Sequence, residues 1–200
     1  MIGGRGEVAR KGLHVGLSLV AAGLVWWLPH PLGATMLAAA TAIALSVELA
    51  RRTSGTFATR FLRWLAPLLR DDEKAGLTGA TTLSVGYTVA AAMLPGRAAV
   101  GGILFTGVAD ALAALVGRRW GRHRYPGGRS LEGSLTFLAA SFLLALALPG
   151  IGPQTAAIVA VVLTLVEAIT VPVDDNLYLP LVGAIVLRAV AGGAGVGIFS

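Results

Sequence analysis

Three stretches of this chain, residues 12–47, 75–96 and 133–166, contain no aspartate, glutamate, lysine or arginine at all. Apolar runs of that length exceed what a strand or core helix of a water-soluble domain uses, and they match or exceed the roughly 20 residues a helix needs to cross a bilayer. The composition agrees, with 56% hydrophobic and 13% charged residues, where a soluble domain carries about 25% charged. A soluble globule is therefore excluded. The chain has no cysteine, so disulfides, thiolate nucleophiles and Cys-ligated metals are excluded as well.

Turn signals cut the runs into spans, because proline removes a backbone donor and clashes with the preceding helical turn. Pro29-His30-Pro31 separates spans at about 13–28 and 32–49, and Pro149 through Pro153 separates 134–149 from 153–171. Pro95-Gly96-Arg97 parts 76–94 from 98–116, and a last span runs over 178–198. The expectation is an all-α integral membrane protein, a single domain over residues 1–200 with about seven transmembrane helices. The first span follows Arg5, Arg10 and Lys11 as a signal peptide would, but no small-residue cleavage site leads into a polar mature domain, so it reads as a retained helix.

Seven spans put the N-terminus and the 50–75, 117–132 and 172–177 loops on one side. Of the 16 basic residues, 14 fall there; only Arg97 lies in an opposite loop, and Arg188 lies inside the last span. The positive-inside rule then makes that side, and the N-terminus, cytoplasmic. The net charge of +6 becomes a topology signal and gives no reason to expect a nucleic-acid partner. All ten acidic residues also map to the cytoplasmic loops or to the inner halves of the spans. Carboxylates contribute little to orientation, so chemistry is the expected reason for their placement. Glu48, Asp110 and Glu167 stand out because they lie within or at the edge of apolar helices, where a central charge costs at least about 2.5 kcal/mol.

Helical spacing gathers these groups into stripes. Glu7, Arg10, Lys11 and His14 share one face, Glu48 is followed by Arg51 and Arg52, and Asp110, Ala113, Ala114 and Gly117 line one side of the fourth span. The segment from Gly117 to Gly133 is rich in glycine and arginine, suited to cradling phosphates with backbone amides, guanidinium forks and a helix N-terminus. Asp174-Asp175-Asn176 offers hard oxygen donors for magnesium or a similar divalent ion, and as a lone tripeptide it equally suits a turn or helix cap. Residues 56–70 place Phe57, Phe61, Trp64, Leu65 and Leu68 opposite Arg60, Arg63 and Arg70, the pattern of an interfacial helix kinked at Pro67 that anchors the chain or admits a lipid tail. Basic groups for phosphates and acids for metal, at the membrane face, describe transfer from a nucleotide to a lipid alcohol. The two lysines precede Gly12 and Ala75, so no Walker A lysine exists.

Glu7-x-x-Arg10-Lys11-x-x-His14, Asp110 with Gly117-Arg118, Gly128-Arg129-Ser130-Leu131-Glu132-Gly133, Glu167, and Asp174-Asp175-Asn176-x-x-x-Pro180 together resemble the polyprenol kinase family, which groups dolichol kinase, phytol kinase and CTP-dependent diacylglycerol kinases. The resemblance runs from residue 7 to about 180. It implies an integral membrane kinase that uses CTP, or a related nucleotide, with a divalent metal to phosphorylate a polyprenol-, dolichol-, phytol- or geranylgeraniol-type alcohol. By the same resemblance, Arg10 and Lys11 are the basic pair required for activity, and Asp110 with Gly117 forms the nucleotide-site signature. Arg129 stands where the family usually has lysine, so a planar fork replaces a point donor. The expected roles are nucleotide binding by Arg10, Lys11, His14, Gly117, Arg118, Arg129, Ser130, Glu132 and Gly133; metal binding by Asp110, Asp175 and Asn176; and catalysis by Asp110, Glu167 and Asp174.

Within the family, a diacylglycerol kinase is the alternative. A phosphatidate cytidylyltransferase shares the partners, but its late Ser-x-x-Lys-Arg and Lys-Asp signature has no counterpart after Lys74, the last lysine. A transporter would need polar groups through the outer half of the bundle, which holds little beyond threonine, serine and Arg188.

Overall fold

The computed structural model describes residues 4–94, 96–125, 128–169 and 173–193. Among them regular structure is entirely helical, with one isolated bridge between Arg124 and Ser130. The helices are α1 (Gly4–Trp27), α2 (Leu32–Thr53), α3 (Gly55–Leu65), α4 (Gly79–Met93), α5 (Arg97–Leu104), α6 (Asp110–Trp120), α7 (Leu131–Ala147), α8 (Pro153–Ala168) and α9 (Asp175–Gly193). A π-helical turn, Phe105–Ala109, joins α5 to α6 into one rod, Arg97–Trp120. Every predicted span coincides with a helix, but the ends move. The first helix starts at Gly4, so the whole Glu7-to-His14 stripe is helical, and residues 194–198 of the last predicted span lie outside the described residues. Pro95, named above as a break, and residues 126, 127, 170 and 171 also lie outside the described residues, and the Arg5 side chain is not described.

Among the described residues four helices are long and apolar enough to cross a membrane: Gly6–Trp27, Leu32–Thr53, Arg97–Trp120 and Asp175–Gly192. α7 and α8 are apolar but shorter. Val20, Ile43, Leu143, Leu165 and Ile185, spread over five helices, stay exposed. Apolar side chains so placed face lipid, as befits an integral membrane protein.

At the centre α5 packs on α9, with α1 and α4 beside α5 and α2 outside α4; α7 packs on α6 and α8. Small residues set these distances. A side chain at Gly102 would strike the Pro180 carbonyl and Ala184, one at Gly86 would strike the Asn176 and Leu177 carbonyls, and one at Gly107 would strike Ser18. Pro180, inside α9, cannot donate to the carbonyl of Asn176 four residues back, and Gly86 lies against that same carbonyl. Pro67 opens a single 3-10 turn, Ala66–Leu68, after α3 has ended, in place of the expected kink. α3 itself starts on Ser54, whose hydroxyl accepts from the Phe57 amide.

Glu48 has a structural position. Its carboxylate takes two bonds from Arg51, at 2.7 and 3.1 Å, and accepts from the Thr78 amide (2.8 Å) and the Thr81 hydroxyl (3.2 Å). Arg51 also donates to the carbonyls of Glu73, Lys74 and Gly76 and lies over the Phe61 ring. The pair thus ties α2 to the α3–α4 connection and to the first turn of α4. Both side chains are about 95% buried, so Arg51→Met should leave a carboxylate uncompensated and cost about 3–5 kcal/mol. Thermal unfolding in detergent measures this, and Glu48→Gln combined with Arg51→Met should recover part of the loss.

Candidate active site

Where α1 starts and α6 ends, the bundle opens into a cavity of about 600 Å³. Its walls come from six parts of the chain: Glu7, Arg10 and Lys11 of α1; Arg70 after α3; Asp110, Gly117 and Arg118 of α6; Arg124, Arg129 and Ser130 before α7; Glu167 near the end of α8; and Asp174, Asp175 and Asn176 at the start of α9. The π turn directly precedes Asp110. Such a turn inserts a residue and so re-aims the face of the helix that follows it. Asp110 meets Lys11 at 2.7 Å, with the lysine side chain 5% exposed, and so pins α6 to α1. Arg10 turns back to Glu7 through two bonds of 2.7 and 3.2 Å, and Arg118 approaches the same carboxylate at 3.8 Å.

The opposite wall is one connected network. Arg129 bridges Glu167 (3.0 Å) and Asp175 (2.7 Å) and donates to the Ile169 carbonyl (2.9 Å). Ser134 donates to Glu167 and meets the Tyr125 hydroxyl, while Tyr178 donates to Asp175. Burial works against the Arg129 charge, yet Asp175 and Glu167 outweigh it and hold the guanidinium pKa above its ordinary value. Asp174 caps α9, accepting from the Asn176 amide at 2.9 Å, and takes a further bond from Thr82 at 3.1 Å. Ser130 caps α7 through the Gly133 amide.

Two expected nucleotide residues do not line this cavity. His14 follows Arg10 by one helical turn, deeper in the bundle, and belongs to the wall of a neighbouring apolar groove. Glu132 is rotated about 100° along α7 from Gly133, and it faces the exposed His123, whose Nδ1 lies 2.9 Å away. Gly117 and Gly133 do reach the cavity, but they also meet each other: a side chain on Gly117 would press on the Ser130 hydroxyl and the Gly133 backbone. Their lack of a side chain thus serves α6–α7 packing as much as any ligand.

Glu7, Arg70, Arg124 and Ser134 line the cavity without having been assigned a role there. Glu7 and Arg124 sit inside the recognised stripe and loop, so the sequence held a signal for them. Arg124 donates to the Gly117 carbonyl (3.3 Å), a cation on the last turn of α6, and to the Gly128 carbonyl. Arg70 comes from the end of the interfacial segment, and only tertiary packing brings it here. Among the described residues no three His, Asp or Glu side chains are close enough together to hold a metal unaided. Asp110, Asp174 and Asp175 line one cavity, and magnesium is commonly bound by one or two carboxylates with phosphate and water oxygens as its other ligands.

A phytol kinase of Synechocystis is 38% identical over 148 residues, covering 69% of this chain and 57% of the relative. A dolichol kinase of Saccharomyces cerevisiae is 42% identical over 48 residues, 24% of this chain and 9% of its own. An uncharacterised protein of Rickettsia prowazekii is 23% identical over 185 residues, 88% of this chain and 90% of that one. The chain therefore spans just over half of the phytol kinase and a small part of the dolichol kinase. No family model and no solved structure matches it.

The Lys11–Asp110 pair should behave as one unit. Lys11→Met alone should cost about 3–5 kcal/mol by stranding a buried carboxylate. Adding Asp110→Asn should restore part of that, with a coupling of about 1–3 kcal/mol in a double-mutant cycle read by thermal unfolding.

Proposed function

The chain belongs to the polyprenol kinase family, and on that premise we propose that it transfers the γ-phosphoryl group of CTP, or of a related nucleoside triphosphate, to the hydroxyl of a membrane lipid alcohol. The acceptor is of polyprenol, dolichol, phytol or geranylgeraniol type, and the reaction takes place at the cytoplasmic face of a seven-span bundle whose N-terminus is cytoplasmic. The observation that carries this reading is the single cavity in which Arg10, Lys11, Arg118, Arg124 and Arg129 face Asp110, Glu167, Asp174 and Asp175. Cations there receive a polyphosphate, and carboxylates there serve a metal or a hydroxyl. The 14 to 1 distribution of basic residues between the two sides, with that cavity on the basic side, supports the orientation.

In this reading the lipid oxygen attacks the γ-phosphorus, the bond to the β-phosphate oxygen breaks, and the nucleoside diphosphate leaves. The hydroxyl proton passes to a carboxylate lining the cavity: Asp110, Glu167 or Asp174. Arg118 and Arg10 take phosphate oxygens, and Lys11 holds Asp110 in place. Arg129, already bonded to Glu167 and Asp175, fixes the spacing of those two acids and presents its remaining donors to the phosphates. Ser130 and Gly133 set the N-terminal end of α7, the positive end of its dipole, against the cavity, with the Gly133 amide itself held by the Ser130 hydroxyl. Asp110 and Asp175 would hold the magnesium ion, with Asn176 beside them on the cavity wall. Magnesium supplies neutralisation of the charge on the phosphoryl oxygens.

The test is purified protein in detergent, given CTP or ATP labelled at the γ or the α position, with phytol, geranylgeraniol, dolichol and diacylglycerol as acceptors. Lipid phosphate labelled from the γ position is the expected product; a CDP-lipid labelled from the α position would overturn the kinase reading. Arg118→Met should raise the KM for nucleotide about tenfold and leave that for lipid unchanged, because it removes one charge-assisted contact.

A further inference from the structure

Beside the polar cavity lies a groove of about 220 Å³ between α1, α2, the start of α4 and the interfacial segment. Its walls are largely aliphatic and aromatic, with Leu13 and Leu17 from α1, Ala44 and Val47 from α2, and Phe61 and Leu65 from α3. Arg10 lines both this groove and the polar cavity, so the two spaces share a wall. At that shared end sits His14, 7% exposed, whose Nε2 has no hydrogen-bond partner. Among the described residues only one other buried polar side-chain atom, Ser141 Oγ, is in that position. A buried donor or acceptor left unpaired forfeits its solvation without compensation. Such atoms are rare in folded proteins and call for a partner.

We propose that this groove holds the first hydrocarbon segment of the lipid alcohol, with its hydroxyl at the Arg10 end against His14 Nε2. This rests on the kinase reading above and adds the acceptor's place and the residues that select it. A prenyl or alkyl chain matches the apolar walls. α3, which bounds the groove, exposes Phe57 and Trp64 on an amphipathic helix and so lies where a lipid would leave the bilayer plane. His14 follows Lys11 by three residues on the same face of α1, and Lys11 is paired with Asp110, so of the carboxylates named above Asp110 is the one on the hydroxyl's side of the polar cavity. The groove is far too small for a whole polyprenol, so the rest of the chain stays in lipid and the walls read only the end that carries the hydroxyl.

Two measurements on the full chain test this. First, a geranylgeraniol analogue carrying a diazirine on its first isoprene unit is photolysed with the protein in lipid nanodiscs, and the adducts are mapped by mass spectrometry. Adducts on residues 13–17 and 61–65 are expected; adducts confined to α7, α8 or α9 overturn the proposal. This readout does not need turnover, so failure to phosphorylate any lipid with adducts still in the groove sinks the kinase reading alone. Second, Ala44→Phe, which fills the groove, should raise the KM for geranylgeraniol about tenfold with nucleotide affinity unchanged. Leu65→Ala, which widens it from an exposed position, should change the ranking of acceptors. His14→Phe should lower kcat/KM for the lipid by about 10- to 100-fold while a fluorescent nucleotide still binds. Loss of nucleotide binding in His14→Phe with normal lipid KM in Ala44→Phe would return His14 to the nucleotide and overturn the proposal.

Discussion

A buried ion pair between α1 and α6, Lys11 to Asp110, holds together segments ninety-nine residues apart. In a low-dielectric bundle neither charge is tolerable alone, so each fixes the other. The consequences spread outward from that contact. α1 must lie along the rod formed by α5, the π turn and α6. Gly107 in the π turn must come close to Ser18, and the stripe that ends in Lys11 must face the same space as Asp110. The cavity exists because two helices with opposite charges were drawn together at one end and left small residues, Ala113, Ala114 and Gly117, between them and α7.

The same constraint separates the acids into two kinds. Glu48 is saturated by Arg51, Thr78 and Thr81 and serves the junction of α2 and α4, away from the cavity. Asp110, Glu167 and Asp175 are also paired, but their pairs border an open space, so a polyphosphate or a metal can compete for the same groups. An ionisable residue in an apolar helix is a fair candidate for function. What decides is whether its bonds are all internal to the fold or face a space a ligand can fill.

The two neighbouring spaces divide the chemistry by polarity. One is lined by guanidinium groups and carboxylates, the other by leucine, valine and phenylalanine, and Arg10 stands in the wall between them. A reaction that joins a charged donor to a greasy acceptor needs such a boundary, since neither substrate is stable in the other's surroundings. The interfacial segment contributes to both: Arg70 reaches the polar cavity, and Phe61, Leu65 and Leu68 line the groove.

By itself the sequence determined the helices, because proline pairs and glycine turns interrupt charge-free runs whatever the packing; α2 begins at Leu32 and α8 at Pro153, as those breaks require. It also determined most of the cavity's residue list, since charges in an apolar chain are few and their helical phase groups them: Arg10, Lys11, Asp110, Arg129 and Asp175 could be read in one dimension. Tertiary structure alone decided which of those charges meet. Lys11 chooses Asp110, Arg129 joins Glu167 to Asp175, and Glu48 is withdrawn into a structural clasp, because partners across helices depend on rotation and depth that spacing along one helix does not encode. It also moved His14 and Glu132 off the cavity wall, His14 by one turn of depth and Glu132 by a fraction of a turn of rotation, and brought in Arg70 from a segment whose pattern spoke only of the membrane surface.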